Sequence, residues 1–109
     1  MIKATILHNK EGLAVGFKVE NHGDTHVCAA VSMLTINTVN SITKLTDVSE
    51  DDVIANWDDA GGFLEFKLKN VGQRNSGAGL LLDALVLGLT DVSQEYPKDI
   101  DLKGVDYND

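Results

Sequence analysis

Apolar and polar positions change period several times along the chain, and each change marks an element. Ile2 to Leu7 alternates loosely, and Ala14 to Val19 sets Val15, Phe17 and Val19 on one face. That two-residue period belongs to strands, and the turn-forming Asn9-Lys10-Glu11-Gly12 between them predicts a hairpin. Glu20 to His26 is polar and reads as a loop. From Val27 to Leu45 the period becomes helical: Val27, Val31, Leu34, Ile42 and Leu45 form a stripe that Met33 and Ile36 widen. Asp24 and Thr25 are the N-cap candidates. Val53 to Trp57 and Phe63 to Leu68 read as strands around the turn Asp58-Asp59-Ala60-Gly61-Gly62, with Leu64, Phe66 and Leu68 on one face. After a polar connection, Val71 to Gly77, Asn75 or Ser76 can cap a second helix. Its stripe is Leu81, Leu82, Leu85, Val86, Leu89 and Val92, and Tyr96-Pro97 ends it, since proline cannot continue the hydrogen-bond ladder. Ile100, Leu102 and Val105 predict a short last strand, with Asp106 to Asp109 frayed. The order β-β-α-β-β-α-β predicts an α+β two-layer sandwich: a mostly antiparallel sheet with two helices on one face.

The 109 residues suit one domain, 1–109. A single cysteine excludes a disulfide within the chain and fits a reducing compartment. No signal peptide is visible. The longest apolar-rich window, Gly77 to Leu89, contains Asp83 and is shorter than a membrane span. A soluble, cytoplasmic protein without membrane attachment is expected. The net charge of −8 argues against direct nucleic-acid binding, because no basic stripe is present to neutralise phosphates. Long-range attraction then favours basic partners, though on charge alone the stronger reading is an acidic surface that keeps a small protein soluble.

Chemistry concentrates before the first helix. Cys28 falls at the predicted helix start, where unpaired N–H groups and the positive end of the helix dipole favour a thiolate and can hold an oxyanion. His22 lies six residues earlier, close enough in sequence for the loop to fold an imidazole back onto the cysteine as its base. The competing reading of a lone cysteine is a small buried hydrophobe. His26 competes with His22 as base, while His8 is expected at the surface near the first hairpin. A metal set of His22, His26 and Cys28 with Asp24 is cramped and has no second cluster to support it. No metal and no cofactor are predicted. Trp57, Phe63 and Phe66 are expected to pack the sheet rather than to cradle a ligand.

The run Val27-Cys28-Ala29-Ala30-Val31-Ser32-Met33-Leu34-Thr35-Ile36-Asn37-Thr38-Val39-Asn40 resembles the helix signature of the ribosomal-processing cysteine proteases, the Prp family. Met1-Ile2-Lys3-Ala4-Thr5-Ile6 resembles that family's first strand. Gly16-Phe17-Lys18-Val19-Glu20-Asn21-His22-Gly23 resembles its second strand running into a Gly-His-Ala motif. Asp58 to Gly62 and the leucine-rich helix ending at Tyr96-Pro97 resemble its later part. Asn21 and Gly23 replace the usual glycine and alanine, and the separation of His22 from Cys28 is shorter than in many members. The resemblance implies Cys28 as nucleophile, His22 as base and Ser32, one helical turn on, as a substrate-binding residue. The match from Phe17 through His22 without a gap favours His22 over His26. It further implies removal of the N-terminal extension of bacterial large-subunit ribosomal protein twenty-seven after a pair of aromatic residues, by a homodimer. The alternative is a non-catalytic ribosome-assembly module on the same fold.

Overall fold

The computed structural model describes residues 1–21, 24–58, 62–69 and 77–107. The elements follow the predicted order: β1 (Ile2–His8), β2 (Ala14–Glu20), α1 (Thr25–Leu45), β3 (Val53–Trp57), β4 (Phe63–Leu68), α2 (Gly77–Glu95) and β5 (Ile100–Asp106). One short 3-10 turn, Glu50–Asp52, precedes β3. The strands lie in the order β3-β4-β2-β1-β5. All neighbours are antiparallel except β1 and β5. The parallel pair has a topological cause. A helix lies between β4 and β5, so the chain returns to the same end of the sheet before it adds its last strand at the far edge. That pairing runs through Asp106, and the Tyr107 N–H donates to the His8 carbonyl at 2.7 Å. The last strand therefore continues past Val105, and Asp106 is not frayed.

The first hairpin turns on Asn9. Its Oδ1 accepts from the N–H groups of Glu11 and Leu13 at 3.0 and 2.9 Å, and Gly12 takes the positive φ of 81°. Val15 is an extra residue in β2, because Leu7 faces Gly16 while His8 faces Ala14. Such a bulge sharpens the local twist.

The core lies between the sheet and the helices. Phe17 and Phe66 are fully buried on neighbouring strands and stack with ring centroids 5.8 Å apart. From α2, Ala78, Leu82, Leu85 and Leu89 are buried. By length and composition alone this helix could cross a membrane, yet those four side chains belong to the core cluster. Asn75 and Ser76, its expected caps, lie outside the described residues.

The inner face of α1 departs from the predicted stripe. Val27, Val31, Thr35, Thr38 and Ile42 are buried, Leu34 is half-buried, and Met33, Ile36 and Leu45 are exposed. Two threonines occupy positions where hydropathy favours leucine or isoleucine. Burial of a hydroxyl is costly only when it lacks a partner. Thr35 Oγ1 donates to the Val31 carbonyl at 2.9 Å, and Thr38 Oγ1 to the Leu34 carbonyl at 2.7 Å. Each hydroxyl is satisfied within its own helix, so its methyl group is free to pack.

Candidate active site

The first helix starts at Thr25, two residues earlier than the apolar stripe predicts, because Asp24 caps it. Asp24 Oδ1 accepts from the N–H groups of His26 at 2.9 Å and Val27 at 3.4 Å. The Asp24 carbonyl accepts from the Cys28 N–H at 2.8 Å. Cys28 is therefore the fourth helical residue. Three N–H groups of the first turn already have acceptors, which corrects the expectation that helix-start amides serve as the oxyanion hole. Removal of the cap has a calculable cost. Asp24→Ala is expected to destabilise the protein by about 1 kcal/mol, measured as a lower urea midpoint with an unchanged m-value.

A cleft of about 430 Å³ runs beside α1. One wall is the helix, through Cys28, Ser32, Ile36 and Asn40. These residues repeat every four positions, and Val31, Thr35 and Val39 beside them border the same cleft, so the opening spans two neighbouring stripes of the helix about 100° apart. The other wall comes from the sheet. Val19 and Asn21 contribute from the end of β2, Leu64 from the start of β4, and Trp57 and Asp58 from the end of β3. Two bonds hold these strand ends together: the Asn21 N–H donates to the Gly62 carbonyl at 3.0 Å, and the Asp58 N–H to the Phe63 carbonyl at 3.1 Å. Asn21 carries a positive φ of 70°, a conformation asparagine adopts more readily than most residues.

Cys28 is half-buried and lines the cleft, with its side chain against the edge of the core. Ser32 is half-buried one turn further along the same wall. His22 lies outside the described residues, immediately after Asn21. His26 is not among the cleft residues. Its side chain is 93% exposed, with Nδ1 3.7 Å from the Asp24 carboxylate. His8 stands at the opposite end of β1 from Ile2, which borders the cleft; six residues of strand separate them by about 20 Å. His8 is half-buried rather than at the surface, because it packs where a side chain on Gly104 would otherwise sit. The metal set depends on His22. Among the described residues no three of His, Cys, Asp and Glu come together to hold an ion.

The aromatic residues divide. Phe66 packs the core as expected, but Trp57 and Phe63 border the cleft, and Trp57 is 68% exposed. The period of β3 did not distinguish a residue under the helix from one beyond its cover. Asn40 and Asp58, which the sequence does not single out, also border the cleft. The four-residue spacing from Cys28 through Ser32 and Ile36 is the signal that points to Asn40.

Comparisons with known proteins agree with this fold. The family described as cysteine protease Prp matches residues 1–101. A ribosomal processing cysteine protease Prp from Staphylococcus aureus is 32% identical over 108 residues, covering 94% of this chain and 97% of its own. A crystal structure of an essential ribosomal processing protease from S. aureus, with a covalently linked product peptide, superposes with a TM-score of 0.84 at 30% identity. It covers 96% of this chain and 100% of that one. A Streptococcus mutans protein superposes with a TM-score of 0.81 at 28% identity over 98% of this chain and 96% of its own.

Proposed function

The chain belongs to the cysteine protease Prp family, and from that premise we propose that it is a ribosomal-processing endopeptidase with Cys28 as nucleophile and His22 as general base. The observation that carries the residue assignment is the half-buried Cys28 on the wall of a cleft that Asn21, the residue before His22, also lines. A structural cysteine sealed in the core has no such access. His22 takes the proton from Sγ, and the thiolate attacks the scissile carbonyl carbon. The C–N bond then breaks as His22 protonates the leaving amine. Water hydrolyses the thioester and restores the thiol. His26 is unsuited to the role because its ring is exposed beside the Asp24 carboxylate and does not line the cleft. Ser32, one turn from Cys28 on the same wall, positions the bound peptide.

The substrate is the precursor of large-subunit ribosomal protein twenty-seven, from which a short N-terminal extension is removed. The S. aureus relatives are described as ribosomal processing proteases, one with a substrate peptide bound. A chain of net charge −8 also draws basic ribosomal proteins by long-range attraction. The enzyme acts in the cytoplasm as a homodimer, uses no cofactor, and binds neither nucleic acid nor membrane. The test is to incubate the purified chain with the ribosomal protein of the same organism and record intact masses. Loss of a short N-terminal peptide is the expected result, and an unchanged mass after prolonged incubation would overturn the proposal.

A further inference from the structure

We infer that Asn21 is the oxyanion donor of the site: its side-chain amide hydrogen-bonds the scissile carbonyl oxygen as Cys28 attacks. The inference rests on the reading of Cys28 as nucleophile. When Sγ bonds to the carbonyl carbon, the π pair moves onto the oxygen, and a fixed N–H or O–H donor stabilises that charge. The first turn of α1 has little to offer. The N–H groups of His26 and Val27 are taken by the Asp24 carboxylate, and that of Cys28 by the Asp24 carbonyl. A side chain of the cleft has to supply the donor instead.

Among the described cleft residues, Asn21, Ser32, Thr35, Asn40 and Trp57 carry side-chain donors. The Thr35 hydroxyl already faces the carbonyls of Val31 and Ser32 at 2.9 and 3.2 Å. Asn40 lies twelve residues after Cys28, about 18 Å along the helix. Trp57 stands on the edge strand, two strand spacings or about 10 Å from β2. Asn21 belongs to the Cys28 end of the cleft by connection. Only two residues separate it from Asp24, so the two Cα atoms lie within about 11 Å, and Cys28 follows Asp24 by one turn, about 6 Å. Lys3 pairs with Glu20, which sets Asn21 level with Ile2, a buried residue that also lines the cleft.

Two features separate Asn21 from Ser32, whose hydroxyl is free to rotate. Its backbone is held, by the bond to the Gly62 carbonyl and by a φ of 70°. Its side-chain amide has no hydrogen-bond partner among the described residues. A donor that is anchored and unspent stabilises a developing charge without reorganisation.

The same φ makes the test clean. Glycine takes a positive φ without steric cost, so Asn21→Gly removes the amide while the thermal midpoint holds. Steady-state cleavage of a peptide spanning the extension is expected to show kcat about 10²-fold lower with KM nearly unchanged. Asn21→Asp, whose ionised carboxylate only accepts, should lose at least as much. A peptide aldehyde, to which the thiol adds to leave a tetrahedral oxygen, should bind Asn21→Gly about 10²-fold more weakly than wild type. The uncut peptide should bind Cys28→Ala equally well with or without Asn21→Gly. A kcat within about twofold of wild type in Asn21→Gly, or an equal loss of affinity for the uncut peptide, would overturn the inference and leave the nucleophile in place. A wild-type chain that neither cleaves the peptide nor binds the aldehyde would overturn both.

Discussion

Replacement of Cys28 by alanine is expected to abolish cleavage of the ribosomal precursor while the fold is retained. The loss should be at least about 10³-fold, because a nucleophile and its base act as a unit and neither works without the other. Intact-mass time courses measure it. The side chain is half-buried at the edge of the core, so removal of one sulfur costs little packing, and the thermal midpoint serves as the control. His22→Ala should cause a loss of the same order, and the double variant should be little worse than either single one. His26→Ala should change the rate by no more than about twofold, since an exposed side chain that does not line the cleft carries little of the chemistry. A His26→Ala loss as deep as that of His22→Ala would reverse the assignment of the base.

The largest effect on stability is expected at Gly16. A Cβ there would collide with the Phe66 carbonyl oxygen and lie 2.9 Å from the Lys67 Cα. Both obstacles are backbone, so no rotamer change relieves them. β2 and β4 would have to separate where Gly16 pairs with Lys67. Gly16→Ala should cost about 3 kcal/mol, a large share of the roughly 5–15 kcal/mol that holds a domain of this size together. In thermal unfolding the midpoint should fall by about 15 °C. Gly12→Ala is the contrasting case. Nothing lies within 4 Å of its added carbon, but the φ of 81° remains, so only the left-handed penalty of about 1 kcal/mol applies. Equal losses at the two positions would mean that the strands move apart readily and that the close approach at Gly16 is not rigid. Because the β2–β4 pair also carries Val19 and Leu64 to the cleft, cleavage should decline with stability in Gly16→Ala.

Most of the secondary structure was legible because it depends on periods and punctuation that neighbouring residues set. The helices end where the pattern and Pro97 place them, and β2, β3 and β4 lie within a residue of their predicted bounds. Asp24 was among the two cap candidates, but its competition for the first-turn amides was not foreseen, since it depends on where the carboxylate points. Thr35 and Thr38 were missed as core residues because hydropathy counts a hydroxyl as polar whether or not it has a partner. Alternation assigns Trp57 to a face of the sheet but does not give the extent of the helix above it.

By itself the sequence determined the strands, the helices, the single thiol and its place in the first turns of α1, since each follows from local periodicity and residue chemistry. Only the tertiary structure decided that β5 closes the sheet in parallel beside β1, that the cleft takes in both the buried Val31 and Thr35 and the neighbouring stripe through Cys28, and that Trp57 faces the same opening as Cys28. Those facts rest on contacts between segments far apart in the chain, and no local pattern encodes the gap left between a helix and the sheet it covers.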